Sequence, residues 1–173
     1  MRRLLLLFLS LFLGVVLCGC GYQLEGRPAN FPASWQTIYV SVWENPTSDI
    51  RFGEIMAEAL RERIELAGDL KIASRDEADL ILKGRVVSIQ VGGLSYDEYT
   101  QTLERRVSVR AQAELLDREG HVIWRNSNIY RYEDYPVVKE IAGEEVDPGR
   151  KIALEKITRD LAEIIYHQII SAF

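Results

Sequence analysis

Few side chains in this 173-residue sequence could act as a nucleophile, a general base or a metal ligand. The sequence contains two histidines and two cysteines. His121 stands beside a predicted hairpin turn and His167 lies in the predicted last helix, with no suitable serine near either one in the sequence. The sequence also lacks a glycine-rich phosphate loop, a paired metal motif and a nucleophile elbow. We therefore expect no enzyme, no cofactor and no metal, and the cysteines carry the remaining chemistry.

The two cysteines end an apolar segment at the start of the chain. Arg2 and Arg3 precede an apolar run over residues 4–17. A positive start followed by such a run is typical of an export signal, and a membrane-spanning helix needs a longer run of about 20 residues. The sequence Leu17-Cys18-Gly19-Cys20 then resembles the lipobox of bacterial lipoproteins, in which a small residue precedes the modified cysteine.

This resemblance implies that residues 1–19 are a signal peptide that is removed, and that Cys20 becomes the lipidated first residue. The sulfur of Cys20 would accept a diacylglyceryl group, and the new amine would be acylated after cleavage. More than one acyl chain is needed for stable anchoring. Gly21 follows the cysteine, where aspartate commonly retains lipoproteins on the inner membrane, so we expect the outer membrane, with the domain on its periplasmic side. The alternative is that residues 4–17 remain as an uncleaved anchor.

Removal of residues 1–19 leaves 154 residues (173 − 19), which is enough for one domain with a core of its own. The formal net charge falls from −5 to −7, because Arg2 and Arg3 are lost. An acidic domain is a poor candidate for binding nucleic acid. Glycines and prolines predict a tether over residues 20–36, and residues 37–173 are predicted to form a single domain.

Two helices and four strands are predicted for that domain. Residues 37–43 read as a strand, with Ile38, Val40 and Val42 on one face. Apolar positions from Phe52 onward predict a helix that ends at Gly68 in a left-handed cap. The last helix is predicted to begin at Pro148, with Asp147 as its capping side chain. Its inward stripe is predicted to comprise Ala153, Ile157, Leu161, Ile164, Ile165 and Gln168.

Three strands are predicted between the helices. Residues 80–91 form a long strand whose apolar phase shifts near Val86, which predicts a bulge or burial on both faces. A loop over 92–102 leads to an alternating strand over 106–115, and a hairpin turn at 117–120 leads to a strand reaching Tyr132, followed by a loop over 133–147. The order β-α-β-β-β-α predicts an α+β two-layer sandwich, with two helices packed on one face of a four-stranded mixed sheet.

The mature sequence resembles the LptE family of lipopolysaccharide-assembly lipoproteins along its whole length. The likeness begins with Cys20-Gly21-Tyr22-Gln23-Leu24-Glu25-Gly26 at the lipidated start. The likeness rests on the order and spacing of several further features. These are Ile38-Tyr39-Val40, the Asn45-Pro46-Thr47 turn, the helix with Glu54 and Ala59-Leu60, the strand entry from Ala78-Asp79 to Gly84, the Asp117 to Gly120 hairpin with Trp124, and the long last helix. Ser41, where a proline is common, and the short loop at 92–102 depart from the pattern.

The resemblance implies a subunit that sits inside the LptD β-barrel of the outer membrane. It would support LptD assembly and assist the passage of lipopolysaccharide to the cell surface. One alternative is another binding lipoprotein of similar shape, such as an activator of a peptidoglycan synthase. Another is a periplasmic hydrolase.

Lipopolysaccharide would require a local cluster of cations on an acidic domain, because it carries phosphates and acidic sugars. The guanidinium fork of arginine suits phosphate, since it can donate two parallel hydrogen bonds. The candidate residues are Lys83, Arg85, Arg105, Arg106 and Arg110. Alternatively, these cations balance Glu104 and Glu114 on a solvated face, or meet acidic groups of the barrel.

Overall fold

A computed structural model describes residues 31–96, 102–137 and 147–173. The elements in chain order are β1 (Thr37–Val40), α1 (Phe52–Ala67), β2 (Lys71–Ile72), β3 (Leu80–Tyr96), β4 (Thr102–Asp117), β5 (Val122–Pro136) and α2 (Pro148–Ser171). The predicted signal peptide, Cys20 and residues 21–30 of the predicted tether lie outside the described residues. Within the described ranges, no helix is long and apolar enough to cross a membrane.

The strands form one mixed sheet of five strands in the order β2-β1-β3-β4-β5. β1 is parallel to β2 and to β3, whereas β3, β4 and β5 are antiparallel neighbours. The prediction of four strands was therefore wrong. The additional strand β2 has two residues, Lys71 and Ile72, and a segment that short contains no alternation by which a sequence could reveal it.

The strands β3, β4 and β5 are longer than predicted, whereas β1 is shorter. β3 continues through Gly92 and Gly93 as far as Tyr96, so the first part of the predicted loop is strand paired with β4. β5 likewise continues to Pro136. The predicted bulge is confirmed by a shift of register between Val86 and Ser88. Residues 97–101 and 138–146 of the two predicted loops lie outside the described residues.

Local signals at the helix ends explain where both helices begin and end. Gly68 adopts a φ of 76°, a left-handed conformation that suits glycine, and its N–H donates to the carbonyl of Ile64 at 3.1 Å. The side chain of Asp147 accepts a hydrogen bond from the N–H of Arg150 at 3.1 Å, as predicted for the cap of α2. The N-terminus of α1 has no side-chain cap, because its N-cap residue is Arg51, whose side chain has no acceptor oxygen. The side chain of Asn45 instead holds the preceding turn.

Both helices lie on the same face of the sheet and enclose the core with it. β3 places Leu82 beside Val40 of β1 and Leu115 of β4, and all three side chains are fully buried. Leu60 of α1 and Leu161 of α2 are buried in the same cluster. The prediction of an α+β arrangement of two helices and a mixed sheet is thus confirmed. The opposite face, which no described helix covers, is called the outer face below.

Candidate functional site

Four of the five candidate cations share the outer face. The alternation of side chains along β3 and β4 turns Lys83, Arg85, Arg106 and Arg110 toward that side, opposite to the buried residues between them. The strand register places Arg106 beside Gly92, and Arg110 beside Ser88. The sheet therefore distributes these four cations over two adjacent strands.

Arg105 lies on the other side of the sheet. Its guanidinium donates to the carboxylate of Asp147 at 3.2 Å, and the hydroxyl of Tyr135 donates to the same carboxylate oxygen at 3.0 Å. Burial, followed by the hydrogen bond to Asp147, raises the pKa of Tyr135. Because Asp147 caps α2, Arg105 holds the start of that helix against the sheet and is separated from the other candidates.

Several outer-face cations are already balanced by carboxylates. Arg106 donates to both oxygens of Asp134, at 2.6 and 2.7 Å, and this hydrogen bonding lowers the pKa of Asp134. Arg85 donates to Glu44 at 2.9 Å. Arg125 of β5 donates to Glu114 at 2.9 Å, which is the kind of balance that the alternative interpretation expected. Exposed pairs of this kind stabilise a fold by only about 0–1 kcal/mol each.

Two of the candidate cations on the outer face have no carboxylate partner among the described residues. The guanidinium of Arg110 donates to the neutral amide oxygen of Asn128 at 2.6 Å. Lys83 makes no ion pair with any side chain in the part of the chain that the structure describes. Among the candidate cations, the positive charge that no carboxylate offsets is therefore concentrated at these two residues.

Lys83 also borders a shallow pocket of about 220 Å³ on the outer face. The charged lining consists of Lys83, Arg85, Arg125, Glu44 and Glu114. Three cations against two carboxylates leave a surplus of one positive charge (3 − 2). A second pocket, of about 260 Å³, lies beside Arg106 and Ser108 against residues 90–94 of β3. Both pockets are open to solvent on the outer face.

Two tyrosines on the outer face were missed as candidate site residues. Tyr130 and Tyr132 lie on β5 and are 45% and 47% exposed. The guanidinium of Arg106 lies 3.9 Å from the ring centroid of Tyr132, and that of Arg110 lies 5.4 Å from the ring centroid of Tyr130. The sequence signal for this pair was the separation of the two tyrosines by one residue, because alternate residues of a strand project from the same face.

The two histidines are engaged in local contacts. The Nδ1 atom of His121 lies 3.1 Å from a carboxylate oxygen of Asp117 in the β4–β5 turn. With Glu119, these side chains bring three possible metal-ligand atoms within 4.8 Å of one another. Asp117 already accepts the backbone N–H of His121 at 2.8 Å, so this carboxylate orders the turn. The Nε2 atom of His167 lies 2.7 Å from a carboxylate oxygen of Glu163.

The sequence matches the family model for LptE, described as lipopolysaccharide-assembly, over residues 35–169. The chain belongs to the LptE family. The resemblance inferred from the sequence is thereby confirmed, and the match includes every described strand and most of α2. LptE proteins are lipoproteins of lipopolysaccharide assembly at the outer membrane. No curated protein matches this LptE sequence significantly.

Solved structures of bacterial lipoproteins share the fold of this LptE protein. It is similar to uncharacterized lipoprotein B from Nitrosomonas europaea, with a TM-score of 0.58, 17% identity, and coverage of 88% of this chain and 92% of that one. It is also similar to rare lipoprotein B from Shewanella oneidensis, with a TM-score of 0.55, 16% identity, and coverage of 77% and 94%. A third similar structure is a minor lipoprotein from Acinetobacter baumannii, with a TM-score of 0.51, 18% identity, and coverage of 81% of this chain and 94% of that one. At these identities the likeness establishes the fold alone.

Proposed function

We propose that this LptE protein is anchored in the outer membrane through lipidated Cys20 and forms a complex with the LptD β-barrel. In that complex it supports the assembly of LptD and assists the transport and insertion of lipopolysaccharide at the cell surface. The observation that carries the proposal is the family match over residues 35–169. The protein acts by binding, and we expect no catalytic step in its function.

We further propose that the outer face contacts the phosphates of lipopolysaccharide. Lys83 and Arg110 support this, because their charge is not offset by a carboxylate of the described chain. Arg85 and Arg106 border the two outer-face pockets but are paired with Glu44 and Asp134, so a ligand must compete for them. Arg105 is left out of the proposed site, since it faces the helices.

Co-purification with LptD tests the complex. The chain carrying an affinity tag at its C-terminus is expressed in its native membrane and isolated in mild detergent. We expect LptD to accompany it in a fixed ratio. Recovery of a cell-wall synthase without LptD would instead support the activator of peptidoglycan synthesis, and the proposed function would be abandoned.

A charge-removal variant tests the contact with lipopolysaccharide. We expect Lys83→Ala combined with Arg110→Ala to weaken lipopolysaccharide binding about tenfold, because two exposed charge-assisted contacts are lost. The effect should shrink as ionic strength rises. The matched control is Lys71→Ala, which removes an exposed lysine from β2 at the opposite edge of the sheet. Equal binding by the double variant and the control would exclude these two cations from the site.

A further inference from the structure

The outer face carries a small aromatic platform beside its surplus charge. Tyr130 and Tyr132 are alternate residues of β5 and therefore project from the same face. Their ring centroids lie 6.2 Å apart, with the ring planes at 41°. Nearly half of each residue is exposed. Two half-exposed rings at this spacing offer an apolar surface within a polar region.

Two arginines fix the rings in place. Arg106 lies over the ring of Tyr132 at 3.9 Å from its centroid, and both oxygens of Asp134 hold its guanidinium. Arg110 lies 5.4 Å from the ring centroid of Tyr130. Contacts between a guanidinium and an aromatic ring are attractive even at exposed sites. Contacts of this kind restrict the motion of the rings, which lowers the entropic cost of binding a ligand.

The charge and polarity around the platform define its ligand. Asp134 neutralises Arg106, whereas Arg110 donates to the neutral side chain of Asn128, so a net positive charge remains beside the rings. Ser108 is the cross-strand partner of Tyr132 and adds a hydroxyl group. The amide of Asn128, the hydroxyl of Ser108 and the guanidinium of Arg110 supply hydrogen-bonding groups at the rim of an aromatic surface, a combination that suits a ligand with both apolar faces and hydroxyl groups.

We propose that Tyr130 and Tyr132, together with Arg110, bind the sugar rings of an anionic oligosaccharide. A pyranose ring has apolar C–H faces that stack on aromatic rings, while its hydroxyl groups reach polar side chains at the rim. A phosphate or carboxylate on the sugar accepts hydrogen bonds from Arg110. This inference rests on the proposed function, since it identifies the oligosaccharide with the sugar portion of lipopolysaccharide.

Binding assays with separated parts of the ligand test the platform. The probes are intact lipopolysaccharide, its deacylated oligosaccharide with the phosphates retained, the same oligosaccharide after dephosphorylation, and inorganic phosphate. We expect the phosphorylated oligosaccharide to bind the full chain purified in mild detergent, and to bind its Tyr130→Ala or Tyr132→Ala variant about three- to tenfold more weakly, as loss of one aromatic contact implies. Tyr132→Phe should bind like the wild type. Arg110→Ala should abolish the preference for the phosphorylated form.

The control for these variants is Val122→Ala, at a residue of the same strand that is 44% exposed. It should bind every probe as the wild type does. Circular dichroism of each variant tests whether the fold is retained. We expect it to be retained, because all the substituted positions are exposed.

Several outcomes would overturn the sugar platform. One is unchanged oligosaccharide binding by both tyrosine-to-alanine variants, and another is competition by inorganic phosphate that accounts for all binding. Loss of LptD co-purification with oligosaccharide binding intact would make the tyrosines a protein contact instead. Tyrosine-dependent oligosaccharide binding by a chain that never co-purifies with LptD would overturn the proposed function and leave the platform standing.

Discussion

Asp79 joins the start of β1 to the start of β3 through its carboxylate. One oxygen accepts hydrogen bonds from the N–H groups of Gln36 and Thr37, at 2.9 and 3.0 Å, and from the hydroxyl of Thr37 at 2.9 Å. The bond from the N–H of Gln36, followed by that from the Thr37 hydroxyl, lowers the pKa of Asp79 below its ordinary value. The ionised carboxylate therefore stabilises the contact between two parallel strands.

We expect Asp79→Asn to lower the free energy of unfolding at pH 7 by about 1–3 kcal/mol, because hydrogen bonds to a charged acceptor are weakened. The folded-state pKa lies below the unfolded value, so this contribution is present above the unfolded pKa and is lost as the pH falls through the folded pKa. Urea denaturation measures the free energy of unfolding of Asp79→Asn and of the wild type. The difference between the two proteins should be large at pH 7 and small at pH 2.5. Asp76→Asn, at an exposed neighbour, is the control. The same loss at both pH values would contradict the assignment.

Cys20 is the residue on which membrane attachment depends in our proposal. We expect Cys20→Ser to give an unlipidated protein with its signal still attached or miscleaved, since only a thiolate at this position can accept the diacylglyceryl group. Metabolic labelling with a radioactive fatty acid measures this directly. Cys18→Ser is the matched control and should be labelled like the wild type, because that cysteine belongs to the removed segment. Equal incorporation of the fatty acid by Cys20→Ser and by the wild type would contradict lipidation at Cys20.

Strand alternation alone could place Arg106 and Arg110 on one face, and it could also have separated Arg105 from them. It could not reveal which arginines are neutralised. The partners of Arg85 and Arg106 are Glu44 and Asp134, which lie 41 and 28 positions away in the sequence. Such pairings depend on the register of neighbouring strands, and a single sequence contains no direct record of that register.

At the scale of elements, α2 shows how many of the buried residues of a helix the periodicity of its sequence can predict. The predicted residues Ala153, Ile157, Leu161 and Ile165 are buried, whereas Ile164 and Gln168 are half-buried. Four further residues are buried in α2: Thr158, Ala162, Tyr166 and Ile169. The buried surface is wider than one stripe, because α2 packs against the sheet and against α1 together.

The end of β1 departs from its predicted pattern. Val42 was expected to continue the buried face of Ile38 and Val40, but it is 58% exposed, and Trp43 is buried. The strand ends at Val40, and the following chain turns the indole of Trp43 onto β3. Alternation extrapolated past the end of a strand fails, since the backbone no longer keeps its pleat.

The close approach of Trp43 to β3 requires a glycine at position 84. A Cβ at Gly84 would stand 2.0 Å from an indole atom of Trp43. We expect Gly84→Ala to lower the free energy of unfolding by about 2–3 kcal/mol, because an overpacked core must shift. The measurement is urea denaturation. Gly92→Ala on the same strand is the control, since a Cβ there meets nothing within 4 Å. Equal stability of the two variants would contradict the packing argument.

At the scale of the whole molecule, one core holds both layers together. Its members come from β1, β3, β4, β5 and both helices, and its central side chains, such as Leu60, Leu82 and Leu161, are fully buried. Contacts between sequence-distant side chains also join the helices, including the hydrogen bond from Arg63 to Glu163. The layered architecture could be predicted because each helix has an apolar side. The sheet order could not, because sequence patterns do not state which strands are neighbours.

This core leads us to expect that the domain folds without its lipid. A chain that begins at residue 21 should be a monomer in solution, since burial in one continuous core supplies its stability without a disulfide or a metal in our interpretation. Thermal unfolding followed by circular dichroism should be cooperative, with the helix and strand signals changing together. Size-exclusion chromatography with light scattering measures the mass.

Leu161→Ala tests whether burial in this core stabilises the domain. Leu161 is fully buried in α2, so its truncation should lower the free energy of unfolding by about 2–5 kcal/mol while leaving the transition cooperative. Ile152→Ala is the matched control, because Ile152 lies on the same helix and is 66% exposed; its effect should be small. A gradual melt of the unmodified domain would contradict autonomous folding. Equal effects of the two substitutions would contradict the assignment of the core.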